Sequence, residues 1–235
     1  WVQEGGVEAM IHRLRNPDTR ARAAQDTAKG WYGGLPWHWD KLQISYVGSH
    51  KNRNLVGLSM LEIAAQRGVQ PAEALLSLIV EENGEVSSVF EVMDNADVCF
   101  FMSHPLASIG SDGNAISPTG IYGDDKPHPR FYGTFPRVLG KYSREDKVLT
   151  IEDAVSKMTS VPARRLGLNS RGMIKEGFIA DIAVFNPHTV IDNATFDQPH
   201  QYPTGIEHVL VRGVSVVSES THTGARPGQV LRRGE

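Results

Sequence analysis

Apolar positions recur at helical spacing along much of the first hundred residues and alternate with polar ones near the end of the chain. That change of period predicts an α/β body followed by a small β unit. Val7, Met10, Ile11 and Leu14, after Gly5-Gly6, mark a first helix. Asn16-Pro17 restarts a helix, with Asn16 as cap and Pro17 at its first position, and this polar segment should end at Gly30. The aromatic loop Trp31 to Trp39 is expected to plug a surface between elements rather than line a cleft. Leu42 to Val47 reads as a strand. Ser59 and Glu62 have the spacing of a capping box, opening a helix to Arg67 with Gly68 as its stop. Pro71 starts the next helix, with Leu75, Leu78 and Ile79 as its core stripe and Gly84 as its end. Val86 to Val92 is strand-like, and Asp94 with Asp97 resembles a cap for a helix ending before Pro105.

Ala107-Ser108-Ile109-Gly110-Ser111-Asp112-Gly113-Asn114 follows, a short apolar run stopping at an acid. Strand, helices, strand, helix, strand is the order, which argues for parallel βαβ units. Asp112 would then stand at the C-terminal end of a strand, where the loops of a parallel barrel converge on one cleft. The ordinary reading of Asp-Gly is a turn and nothing more. At most three candidate strands are present here, against about eight in a closed barrel.

From Ile116 to Ser143 the sequence reads as one long Gly/Pro/aromatic loop, of the kind that is usually functional. Thr150 caps a helix with Ile151, Ala154, Val155 and Met158 on one face, and a short helix from Pro162 should end near Gly167. Gly177 to Phe185 reads as a turn and strand. Ile206 to Val211 and Val214 to Val217, joined by Arg212-Gly213, read as a hairpin.

Composition narrows the classes. A chain of 235 residues with 40% hydrophobic and 22% charged residues can bury a substantial core. A net charge of -3 makes no electrostatic case for nucleic acid, and no apolar stretch approaches a bilayer span. The single cysteine, Cys99, fits a reducing compartment, so a cytoplasmic protein is expected; its apolar neighbours suggest a buried structural thiol. The chain opens on Trp1 without an initiator methionine, which suggests a start partway through something.

Candidate chemistry is sparse. The nine histidines stand singly, with no His-x-His, no His-Glu-x-x-His and no cysteine pair. Ser49-His50-Lys51 reads as a loop and Glu81-Glu82 as a solvated helix face. Gly167 to Gly172 lacks the lysine and preceding strand of a phosphate loop, and Ser111 has no nucleophile elbow around it. What survives is Asp112 and the segment around His128 and Arg130. An acid of this kind moves protons for an attacking water only when a metal or second group activates that water.

Several long motifs resemble the C-terminal portion of the D-aminoacylase (N-acyl-D-amino-acid deacylase) family, within the metal-dependent TIM-barrel amidohydrolases. They are Gly110-Ser111-Asp112-Gly113, the run His128-Pro129-Arg130-Phe131-Tyr132-Gly133-Thr134-Phe135-Pro136-Arg137-Val138-Leu139-Gly140, and Lys157-Met158-Thr159-Ser160-Val161-Pro162-Ala163. Glu176-Gly177 with Ala180-Asp181-Ile182, His222-Thr223-Gly224-Ala225-Arg226-Pro227-Gly228, and the opening Trp1 to Gly6 match as well. The resemblance implies an α/β fold: residues 1–165 as the C-terminal part of a barrel and 166–235 as strands of a flanking β-sandwich.

It further implies a zinc-dependent hydrolase of the linear amide in N-acyl-D-amino acids. Asp112 matches the aspartate after the eighth barrel strand, which passes a proton from the metal-activated water to the leaving amine and in related enzymes can also touch the metal. The family's zinc ligands and substrate-carboxylate contacts lie upstream of the matched part, and neither Cys99 nor His50 corresponds to one. The implied partners are a small-molecule substrate and the missing N-terminal part of the barrel. A cyclic-amide hydrolase of the hydantoinase or dihydroorotase kind is the runner-up. The chain taken by itself is expected to be a non-catalytic fragment with exposed strand edges and apolar faces.

Overall fold

The computed structural model describes residues 1–30 and 34–233. Trp31, Tyr32 and Gly33, part of the expected aromatic plug, lie outside the described residues. Two compact units divide the chain, Trp1–Val92 with Thr119–His128, and Met93–Pro118 with Pro129–Glu235.

In the first unit, α1 (Gly6–Arg15) and α2 (Pro17–Ala28) meet at Asn16, whose side chain accepts from the Asp18 and Thr19 N–H groups as the Asn-Pro signal predicts. Strand β1 (Leu42–Val47) leads through a 3-10 turn (His50–Leu55) to α3 (Met60–Arg67), α4 (Pro71–Glu81) and β2 (Val86–Phe90). Both halves of the Ser59/Glu62 capping box form, and Gly68 ends α3 at φ 66. Leu42, Ile44, Val47, Met60, Ile63 and Leu78 build one core, against which Trp37 and Trp39 pack; Leu14, Ala23 and Leu76 build another. Each fully buried aliphatic among them is worth about 1.5–3 kcal/mol over leaving it exposed. Helix α4 buries Ala72, Ala74, Leu76 and Leu78, a broader face than the predicted stripe, because it serves both cores.

The two strands pair antiparallel, Leu42 opposite Phe90 and Val47 opposite Val86, not in the parallel sense the alternation predicts. The reason lies between them. One crossover helix returns a chain to the start of the next strand. Here α3 and α4 pack as a helical hairpin, and the second helix carries the chain back to the far end.

Two further expectations are corrected in this unit. His50 and Lys51 belong to the 3-10 turn rather than to an open loop. Glu82, expected on a solvated face, is 4% exposed; its carboxylate accepts from the Ser49 N–H (2.6 Å), the Ser49 hydroxyl (2.7 Å) and the Asn52 amide. Glu81 pairs with Arg67 at 3.0 Å.

The second unit runs through α5 (Asn95–Ser103), α6 (Arg130–Arg137), a π-helical segment (Val138–Glu145), α7 (Ile151–Met158) and α8 (Ser160–Leu166) to an antiparallel sheet. The sheet's order is β3 (Ile182–Phe185), β4 (Ile206–Val211), β5 (Val214–Ser218), β6 (Thr221–His222). Asp94 caps α5 and Thr150 caps α7, as predicted. The β4–β5 hairpin turns on Arg212 (φ 53) and Gly213 (φ 78), the two positive angles of a type I′ turn. Its core is Met102, Val138, Leu139, Tyr142, Leu149, Ala154 and Val190.

Residues 130–145 are helical, although 130–143 fall within the expected loop. Pro136 cannot donate to the carbonyl one turn back, and its ring crowds that carbonyl. The winding loosens just beyond it, ending with the Asp146 N–H on the Lys141 carbonyl, a five-residue closure. Cys99, expected buried, is half-buried, and its neighbours Phe100 and Phe101 are 69% and 66% exposed. Consecutive residues in a helix point about 100° apart, so an unbroken apolar run cannot all face one core.

Candidate functional site

Asp112 stands in irregular backbone, not at the end of a strand. Among the described residues no strand pairs with 107–112, and an apolar run becomes a strand only when a neighbour takes its backbone groups. The Ile109 N–H instead donates to the Lys157 carbonyl at 3.0 Å, and the Ile109 side chain packs on the core of the second unit. Asp112 itself has φ 48, left-handed backbone that aspartate tolerates better than most residues, and the Gly113 N–H donates to the Ser111 hydroxyl at 3.2 Å. A tight turn thus lifts the carboxylate away from the chain.

Arg130, at the start of α6, meets that carboxylate at 2.8 Å. The Asp112 side chain is 85% exposed and that of Arg130 40%, so the pair contributes at most about 1 kcal/mol and acts chiefly on geometry. Gly113 lets the two segments approach: a Cβ there would lie 3.1 Å from the Phe131 Cα and 3.3 Å from the Arg130 carbonyl oxygen. A larger residue would push the turn off the start of α6.

Arg130 and Asp112, singled out separately in the sequence, are therefore brought together. His128 closes the segment that belongs to the first unit. Lys157, which sequence reasoning passed over except as part of a motif, reaches the same loop through its backbone and its ammonium, which donates to the His104 carbonyl (2.5 Å) and the Ala107 carbonyl (3.2 Å). The signal available was weak: a lysine on the apolar side of a capped helix. Beside Tyr132, His200 Nδ1 lies 2.9 Å from the phenol oxygen; burial raises the Tyr132 pKa, with Tyr202 adding to it.

A cavity of about 650 Å³ in the second unit lies over the start of α7, between Ser143, Lys147, Thr150 and His188. Neither Asp112 nor Arg130 lines it, so the cavity and the carboxylate are separate features. Among the described residues no group of three or more His, Cys, Asp or Glu side chains is placed to hold a metal ion. No described helix is long and apolar enough to cross a membrane.

The structure thus brings one exposed acid on a turn against an arginine from the following helix. Residues 102–217 match the amidohydrolase family, and the chain belongs to it. Within that family it is similar to the D-aminoacylase of Alcaligenes xylosoxydans xylosoxydans, 40% identical over 179 residues, covering 76% of this chain and 34% of that protein. The N-acyl-D-aspartate deacylase of the same organism is 36% identical over 217 residues, 92% of this chain and 38% of that protein.

Among solved structures, a crystal structure of D-aminoacylase superposes with a TM-score of 0.70 at 37% identity, over 82% of this chain and 38% of that one. The N-acyl-D-glutamate deacylase of Bordetella bronchiseptica, complexed with zinc and a phosphonate mimic of the tetrahedral intermediate, matches with the same score at 36% identity, over 83% and 38%. The chain thus spans between a third and two fifths of the length of the relatives it matches.

Proposed function

We propose that this chain is the C-terminal part of a hydrolase that removes the acyl group from N-acyl-D-amino acids, with Asp112 as its general acid and base. The observation that carries the reading is the identity of 36–40% to three deacylases over 76–92% of the chain, a stretch that includes the helix meeting Asp112. In the proposed reaction Asp112 takes a proton from the water that attacks the acyl carbon. As the C–N bond breaks, the carboxyl returns that proton to the amine nitrogen, releasing the carboxylic acid and the free D-amino acid. Arg130 keeps the carboxylate fixed on its turn between the two transfers.

Among the described residues no three His, Cys, Asp or Glu side chains are grouped to hold a metal ion; the zinc is proposed to be held by residues outside this chain, with Asp112 as the group here that could touch it. Residues 1–165 are proposed as part of the barrel and 166–235 as strands of a sandwich, the remainder of both coming from the rest of a longer protein. The single cysteine supports a cytoplasmic location. A cyclic-amide substrate has weaker support: a Lactobacillus acidophilus dihydroorotase is 29% identical over 43% of this chain.

The test is Asp112→Asn in the full-length protein, assayed with N-acyl-D-amino acids beside their L-forms and a cyclic amide. The substitution is expected to lower kcat by about 10²–10⁴-fold at unchanged zinc content. Turnover within about tenfold of the parent protein would overturn the role of Asp112, and a preference for the cyclic amide would overturn the substrate.

A further inference from the structure

Lys157 is 7% exposed, deep for a lysine. Burial penalises an ammonium unless its donors are used, and here two of the three meet backbone carbonyls, His104 at 2.5 Å and Ala107 at 3.2 Å. Both carbonyls belong to the stretch that leaves α5 and runs to Asp112, a stretch in neither helix nor strand. The carbonyl of Lys157 completes the arrangement by accepting the Ile109 N–H at 3.0 Å. One residue of α7 therefore makes three hydrogen bonds to residues 104–109 and releases the chain three residues before Asp112. Apart from the His104 N–H, which donates to the Phe101 carbonyl at the end of α5, the 104–109 backbone makes no other contact to helix or sheet backbone among the described hydrogen bonds.

The geometry points to Lys157 as a positioning residue for Asp112: it fixes the origin of the turn whose far side Arg130 holds. This rests on Asp112 carrying the proton in the proposed deacylation. An exposed carboxylate on irregular backbone has no ladder to fix its height, and a displacement of about 1 Å at a reacting group can cost on the order of 10²-fold in rate. Fixing the turn at both ends answers that need.

The test uses Lys157→Met, which keeps the length and apolar stem of the side chain and removes its donors, made in the full-length protein beside Asp112→Asn. Lys157→Met is expected to lower kcat by about 10–100-fold with KM and zinc content unchanged. Lys157→Arg, which keeps donors in reach, is expected to fall between the two. A kcat for Lys157→Met within about twofold of the parent, or a loss that follows the folded fraction alone, overturns the inference. Hydrogen exchange in the unmutated protein supplies a readout independent of any variant's folding. The Ile109 amide is expected to exchange at least about tenfold slower than an open chain despite lying outside regular structure; unprotected exchange overturns the clamp. If Asp112→Asn loses activity while Lys157→Met does not, only this inference fails. If the parent protein does not cleave N-acyl-D-amino acids, the functional reading fails and takes the positioning role with it.

Discussion

At Glu82 the carboxylate is surrounded by donors from the 3-10 turn and the residue before it, two from Ser49 and one from Asn52. Burial pushes its pKa up, but those hydrogen bonds, with the Lys51 charge behind them, outweigh it and hold the carboxyl below the usual glutamate range. Because the folded value lies below the unfolded one, the unfolded chain binds more protons across that window. The stabilisation is complete at neutral pH and is lost as pH falls from about 4.3 through the lowered value. Glu82→Gln is accordingly expected to cost about 2 kcal/mol at pH 7 in urea unfolding, by removing charge-assisted hydrogen bonds, and less near pH 3. Equal costs at both pH values would show that the charge is not what matters. Nothing in the pair Glu81-Glu82 distinguishes the two: one sits outward with Arg67, and only the fold turns the other in.

Among the elements, the helical stretch from Arg130 to Glu145 is held by what lies against it rather than by its own propensity. Its glycines permit a close approach: a Cβ at Gly140 would lie 2.4 Å from the Val190 carbonyl oxygen, and one at Gly133 would lie 2.9 Å from the Asp192 Cβ. Arg137 meets Asp192 at 3.0 Å and Arg144 donates to the Val190 carbonyl at 2.6 Å, so charges finish what the glycines allow. Gly140→Ala is expected to destabilise the protein by about 1–3 kcal/mol, since a backbone carbonyl cannot retreat as a flexible side chain can. Gly228→Ala, where nothing lies within 4 Å, is the control and should change stability by less than about 0.5 kcal/mol. Unfolding midpoints in urea decide the comparison; a neutral Gly140→Ala would mean that segment 190–192 is free to move. As Arg130 is the first residue of this helix, what seats the helix also seats the partner of Asp112.

For the molecule as a whole, the notable surface feature is apolar. Leu106 is 79% exposed, Ile121 81% and Ile174 89%, in addition to Phe100 and Phe101 on α5. Exposed apolar side chains in such numbers favour association. The 235-residue chain by itself is expected to self-associate at micromolar concentration, its apparent mass by light scattering rising with concentration above 25.8 kDa. A constant monomer mass would show that these side chains do not form an adhesive surface.

Much was legible in the residues because it is decided within a few positions of itself. Asn16-Pro17, the Ser59/Glu62 box, the Asp94 and Thr150 caps and the Arg212-Gly213 turn are local hydrogen bonds or local dihedral preferences, and each forms where the sequence places it. Asp112 could be singled out because a short apolar run stops at it inside a recognisable motif, and Arg130 because it lies in a longer one. What no local signal carries is contact across the chain. The antiparallel sense of β1 and β2 depends on how α3 and α4 stack. The helix inside the expected loop depends on segment 190–192. The burial of Glu82 depends on Ser49, and the meeting of Lys157 with the stretch before Asp112 depends on α7 packing on the second core. Hydrogen bonds within a turn are specified by neighbours in sequence; those that fix a reacting group are specified by neighbours in space, which only the tertiary structure supplies.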